Sequence, residues 1–139
     1  HCHFGHLRIL LAEDNALNQE IAQMLLSSKG ASLDIVSNGQ EAVDKFEASK
    51  PGTYQLILMD IRMPVMNGYT AAEKIRHSQH PDGADIPIIA MTADAYEDDI
   101  KHCMAVGMNG HISKPINPDK LYNDSSSAIC FGIIIMFFI

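Results

Sequence analysis

The sequence predicts an α/β domain built on a parallel sheet with helices on both faces. Near-continuous apolar runs recur along the chain, as in RILLAED (8–14), QLILMD (55–60) and IPIIAMT (86–92). Stretches with helical apolar spacing fill the intervals between them. Strands that are apolar throughout, alternating with helices, are the pattern of a sheet covered on both sides.

The elements follow in order. RILLAED (8–14) is a short strand ending in two acids, and ALNQEIAQMLLSSKG (16–30) is a helix with Leu17, Ile21 and Leu25 on one stripe and Gly30 as its stop. SLDIVS (32–37) alternates as a strand does. GQEAVDKFEAS (39–49) sets Ala42, Val43 and Phe46 at helical spacing, and Lys50-Pro51-Gly52 ends it. QLILMD (55–60) is a second strand buried on both faces, followed by a helix over 68–78 and a turn-rich loop, HPDGAD (80–85). IPIIAMT (86–92) is a strand. The next helix, 94–107, turns Tyr96, Ile100, Cys103 and Met104 inward, with Gly107 beyond its end. GHISKP (110–115) is the last strand. NPDKLYND (117–124) starts a helix with Asn117 as N-cap and Pro118 at its first position.

A length of 139 residues fits one domain, and 47% hydrophobic residues suffice for a packed core. The formal net charge of −7 argues against a nucleic-acid partner. Cys2, Cys103 and Cys130 are odd in number and widely spaced, which argues against a disulfide framework and fits a reducing, cytoplasmic compartment. The segment HCHFGHLRIL has no long apolar stretch behind a basic one, so no secretory signal is expected.

Parallel sheets bind ligands at the carboxyl ends of their strands. Those ends collect Glu13-Asp14, Asp60, Thr92 and Ser113-Lys114. Asp60 closes a run in which Leu56, Ile57, Leu58 and Met59 are all apolar, and a carboxylate there is costly unless something uses it. Close carboxylates raise one another's pKa, and a hard divalent cation removes the conflict. Mg²⁺ takes one or two carboxylates plus a phosphate. The constellation therefore reads as a Mg²⁺ site facing an incoming phosphoryl group, with Asp60 as nucleophile and Thr92 and Lys114 on the phosphoryl oxygens. A cis peptide between Lys114 and Pro115 would aim the lysine inward. Each residue alone has a plainer reading: a loop acid, a helix cap, a solvated lysine. Four strand ends in order are harder to dismiss.

The motifs LLAEDN (10–15), LILMDIRMPVMNG (56–68), MTA (91–93) and SKP (113–115) resemble the receiver domain of two-component response regulators, over roughly residues 7–121. AEDNALNQEIA (12–22) is most similar to receivers fused to hybrid sensor histidine kinases. The resemblance implies a doubly wound, flavodoxin-like sheet of order 2-1-3-4-5. It implies that a histidine kinase or histidine phosphotransfer protein donates from phosphohistidine to Asp60, with Mg²⁺ on Glu13, Asp14, Asp60 and the Arg62 backbone carbonyl. Thr92 would then move toward the phosphoryl group, Lys114 would pair with it, and the acyl phosphate would later hydrolyse.

Two positions depart from the family pattern. Glu13 stands where many members have Asp, and its longer arm suits a water-mediated contact. His111 stands where a switching Tyr or Phe is usual. Its imidazole either turns inward with pH-dependent charge or simply occupies a partly exposed strand position. Arg62 and Asp94 should flank the mouth of the site, either pairing across it to restrict water or lying as two solvated side chains. The small Ala93 leaves access for a donor histidine.

A haloacid-dehalogenase-like phosphatase would also use a strand-end Asp with Mg²⁺, but its second Asp would fall at Arg62, and the chain has no room for a cap domain. A receiver-like interaction module that is never phosphorylated is the remaining alternative. The expected organisation is an N-terminal extension (1–6), a receiver domain (7–124) and an atypical hydrophobic tail (125–139). His1, Cys2, His3 and His6 are good metal ligands, but a disordered terminus is the simpler reading. The tail segment AICFGIIIMFFI (128–139) is too short to span a bilayer. It reads as a packed helix, a strand exchanged with a partner in a dimer, or a non-native end; a packed helix or partner contact is favoured.

Overall fold

The structure is a computed structural model that describes residues 7–28, 30–92 and 97–113. Among these described residues, five strands alternate with four helices: β1 (Arg8–Ala12), α1 (Ala16–Ser28), β2 (Ser32–Val36), α2 (Gly39–Ala48), β3 (Leu56–Asp60), α3 (Gly68–Arg76), β4 (Ile88–Thr92), α4 (Glu97–Ala105) and β5 (Gly110–Ser113). All strand pairs are parallel, in the order β2-β1-β3-β4-β5. This is the doubly wound, flavodoxin-like topology expected from the sequence. The helix expected over 117–124, Lys114, Pro115, Ala93, Asp94, Tyr96 and both chain ends lie outside the described residues.

The sheet is apolar on both faces because successive side chains point opposite ways. Leu10, Ala12, Ile57, Met59, Ile88 and Ala90 pack on one side with Phe46, Ile75 and Cys103 from α2, α3 and α4. Ile9, Leu11, Leu56, Leu58, Ile89 and Met91 pack on the other with Ala22 and Leu26 of α1. β3 is buried at all five positions, Asp60 included. That dry central strand fixes where its last residue sits.

Helix ends follow local chemistry. Asn38 and Asn67 cap α2 and α3 by accepting from the amides of Glu41 (2.8 Å) and Thr70 (2.9 Å). Glu41 in turn accepts from the Ser37 amide at 2.8 Å, one residue before the cap. Gly30 and Gly107 have φ of 96° and 94°. Each follows a helix end, and the next amide returns to a carbonyl five residues back: Ala31 to Leu26 (3.1 Å) and Met108 to Cys103 (2.9 Å).

Two helical faces differ from expectation. Leu17 is 64% exposed, and of the expected stripe α1 buries Leu25, together with Ala22 and Leu26. The helix carries apolar residues around more than one stripe, and its buried face is shifted to one side of the expected one, with Leu25 common to both. Met104 is 60% exposed, while Cys103, Val106 and Met108 fill the core. Cys103 faces inward as expected, and the Gly107 turn brings Val106 and Met108, beyond the end of α4, into the core beside it.

Candidate functional site

The β1–α1 and β3–α3 loops meet at the carboxyl edge of the sheet. Ligand oxygens of Glu13, Asp14 and Asp60 all lie within 4.8 Å of one another. Glu13 and Asp60 are buried at 1% and 3% exposure, while Asp14 faces solvent. The two buried acids are oriented alike. Asp60 Oδ1 accepts from the Arg62 amide at 3.2 Å, and Glu13 Oε2 from the Asn15 amide at 3.1 Å. An acid bonded to the amide two residues on is a local turn that aims its carboxylate.

The strand ends are locked together by backbone bonds. The Glu13 amide donates to the Val36 carbonyl (3.0 Å), Gly39 to Met66 (3.0 Å), Gly68 to Ile61 (2.8 Å) and Ile61 to Met91 (3.2 Å). Glycine is required at both helix starts. A Cβ on Gly39 would collide with the Met66 carbonyl, and one on Gly68 with the Asp60 carbonyl. Val65 adopts φ 68°, with the Met66 amide bonded to the Pro64 carbonyl at 2.7 Å. The MPVMNG segment thus contains a tight left-handed turn that a β-branched residue rarely enters.

Thr92 ends β4, one step beyond the partner of Asp60 in the strand register. It is 6% exposed, and its Oγ1 has no hydrogen-bond partner among the described residues. A buried hydroxyl without a partner costs about 1–3 kcal/mol, so its placement calls for a reason. His111 is the second residue of β5 and is exposed. The Arg62 side chain is exposed, and its charge acts on the Tyr69 phenol. Lys114 and Asp94 lie outside the described residues, as does the peptide before Pro115.

The oxygen-only donor set, two of its three carboxylates dry, suits a hard divalent cation. Sequence reasoning missed the supporting contacts. Asn15 accepts from the Asn18 amide at 3.0 Å, and Gln19 Nε2 donates to the Glu13 carbonyl at 2.5 Å. An Asn directly before each of the first three helices was the available signal for the helix caps. Nothing local announces the Gln19 contact.

The α3–α4 contact beside this edge is aromatic. Tyr69 stacks on His102 with centroids 3.6 Å apart, and its hydroxyl lies 3.2 Å from Asp99 Oδ1. Burial, with Cys103 and Asp99 adding negative charge, pushes the Tyr69 phenol up to about 12.

Comparison with known proteins agrees with this geometry. The profile of the response regulator receiver domain matches residues 9–125. Hybrid signal transduction histidine kinase I of Dictyostelium discoideum is 38% identical over 125 residues, covering 88% of this chain and 7% of that protein. The osmosensing histidine protein kinase SLN1 of Saccharomyces cerevisiae is 40% identical over 118 residues, covering 83% and 9%. The chain thus spans under a tenth of the length of these two relatives. The receiver domain of a sensor histidine kinase from Pseudomonas aeruginosa, with a magnesium ion in its active-site cleft, superposes with TM-score 0.72 at 39% identity, covering 84% of this chain and 91% of that one. The receiver domain of Ssk1 from Saccharomyces cerevisiae, crystallised with the histidine phosphotransfer protein Ypd1, gives 0.71 at 32% identity, covering 86% of each chain. Among the described residues no helix is long and apolar enough to cross a membrane. By sequence, topology and the acidic group at its sheet edge, the chain belongs to the response regulator receiver domain family.

Proposed function

We propose that Asp60 is the phosphoacceptor of this receiver domain, and that Mg²⁺ is held by Glu13, Asp14, Asp60 and the Arg62 carbonyl. The carrying observation is the convergence of three carboxylates within 4.8 Å, two of them buried. An Asp60 oxygen attacks the phosphorus of a phosphohistidine. The P–N bond breaks, its electron pair returns to the imidazole, and Asp60 becomes an acyl phosphate. Water later cleaves that bond, releasing inorganic phosphate and restoring the carboxylate. A bound Mg²⁺ supplies positive charge against the phosphoryl oxygens. The chain's own part is to hold the nucleophile still on β3, exclude water around Glu13 and Asp60, and offer donors to the phosphoryl group.

The buried Thr92 hydroxyl is one such donor, and the phosphoryl oxygens give it the partner it lacks among the described residues. Lys114 supplies a second, charged contact. Movement of Thr92 shifts the packing of the segment running to β5, so that partners favour one of two states. His111 takes part in this switch from its position on β5.

The donor is a histidine kinase or a histidine phosphotransfer protein, and the chain acts on the cytoplasmic side as part of a hybrid sensor histidine kinase. The hydrophobic segment 128–139 contributes a dimer contact, and nucleic acid is not a partner of so acidic a domain. Incubation with phosphoramidate, a small P–N donor, and Mg²⁺ tests the reading. A mass gain of one phosphoryl group that requires Mg²⁺ is expected. No gain would instead make the chain an interaction module that is never phosphorylated.

A further inference from the structure

We infer that Gln19, on the first turn of α1, is a positioning residue for the metal-binding acids; this rests on reading Glu13, Asp14 and Asp60 as a Mg²⁺ site. Gln19 Nε2 donates to the Glu13 carbonyl at 2.5 Å and lies 3.5 Å from the Ser37 hydroxyl on the β2–α2 loop. The Glu13 oxygen can only accept, so the amide orientation of Gln19 is fixed by chemistry. This is not the usual back-bond of a helix start, in which a Gln side chain accepts from the capping residue's amide. Here the side chain donates, and its target lies outside the helix.

The carbonyl it holds belongs to the peptide joining Glu13 to Asp14. The plane of that peptide sets the directions in which both side chains leave the backbone. Two further contacts hold Glu13 at other points. Its amide is held by the Val36 carbonyl (3.0 Å), and its carboxylate by the Asn15 amide (3.1 Å). Gln19 supplies the third point, and the three together fix one buried and one exposed acid relative to Asp60. The loop that receives Gln19 contributes no acid to the cluster, yet it connects to the acceptor side through the Gly39–Met66 bond at 3.0 Å. Gln19 therefore ties the acid pair into the same backbone network that holds β3 and α3.

Partners that orient metal ligands from outside are commonly worth about 10–100-fold in metal affinity. Mg²⁺ titration of the unphosphorylated full chain, by calorimetry or by amide shifts, provides the test. Gln19→Met keeps the length and removes the donor, and Gln19→Asn keeps the amide but falls short of the carbonyl. Both variants are expected to raise the Mg²⁺ dissociation constant about 10-fold, with the urea midpoint in EDTA close to wild type. An unchanged dissociation constant in either folded variant overturns the inference, whether or not the midpoint falls. Should Gln19→Met fail to fold, Gln19→Asn carries the test; failure of both to fold assigns Gln19 to the fold and overturns it as well. Absence of Mg²⁺ binding by the wild-type chain is a separate result, which overturns the metal reading itself.

Discussion

Replacing Gly68 with alanine tests how tightly the start of α3 is set against the acceptor. A Cβ there would overlap the Asp60 carbonyl and stand 3.0 Å from both Ile61 Cα and Met59 Cγ. Two of the three neighbours are backbone of the buried strand end, which cannot turn aside as a flexible side chain would. Overpacking of this kind costs about 1–3 kcal/mol. The Gly68–Ile61 hydrogen bond, now 2.8 Å, must lengthen as the helix retreats, at about 0.5–1.5 kcal/mol. The better helix propensity of alanine returns at most about 1 kcal/mol. Gly68→Ala should therefore lose about 2–3 kcal/mol in urea unfolding with an unchanged m-value. Because the clash falls on the acceptor's own carbonyl, Mg²⁺ affinity should fall as well. Gly52→Ala is the control: it has φ 84° but nothing within 4 Å of its Cβ, so it should lose only about 1 kcal/mol and leave Mg²⁺ binding intact. A Gly68→Ala variant within about 0.5 kcal/mol of wild type would refute the close-approach argument.

Other positions make separate predictions. Arg76 donates to the carbonyls of Gly107 (2.9 Å) and Gly83 (3.0 Å) and to Asn109 Oδ1 (2.8 Å), joining the end of α3 to two loops at the amino end of the sheet. Arg76→Leu should cost about 2–4 kcal/mol in urea unfolding, and a loss below about 0.5 kcal/mol would contradict the clamp. Val65 is 82% exposed at φ 68°, so Val65→Gly relieves strain without uncovering core and should stabilise by about 1 kcal/mol; a destabilised variant would count against that strain. The Tyr69 phenol is raised to about 12 in the fold, chiefly by burial. Its protonated form is favoured on folding, so this contribution is complete below about pH 10. It is then lost as pH rises through about 12. Tyr69→Phe should remove that part of the alkaline decline, and parallel stability curves from pH 9 to 12 would contradict the assignment.

The sheet and its acids were legible because both leave strong local marks. Five short runs of strand character carry the parallel sheet, and a carboxylate after Leu56–Met59 has few structural reasons to be there. The glycine stops at Gly30 and Gly107 read correctly because left-handed helix ends favour that residue. The helical faces were less legible. Leu17, Ile21, Ala22, Met24, Leu25 and Leu26 cover more than half the circumference of α1, and only packing on the sheet decides which of them go inside. The long-range clamps of the fold were not legible, because each joins residues distant along the chain. Asn109, for example, accepts from both Arg76 and the Ile88 amide (2.9 Å), and no window of sequence contains all three. The glycines at 39 and 68 look like ordinary turn residues until the carbonyls of Met66 and Asp60 are seen against them.

The central claim is that one carboxylate, Asp60, receives the phosphoryl group. Borohydride reduction of the freshly phosphorylated chain, followed by peptide mapping, marks the residue that carried the acyl phosphate. The mark is expected at Asp60 in the wild-type chain, dependent on Mg²⁺, with no phosphoryl gain in a folded Asp60→Asn variant. A mark at Glu13 or Asp14, or undiminished phosphorylation of Asp60→Asn, would contradict it.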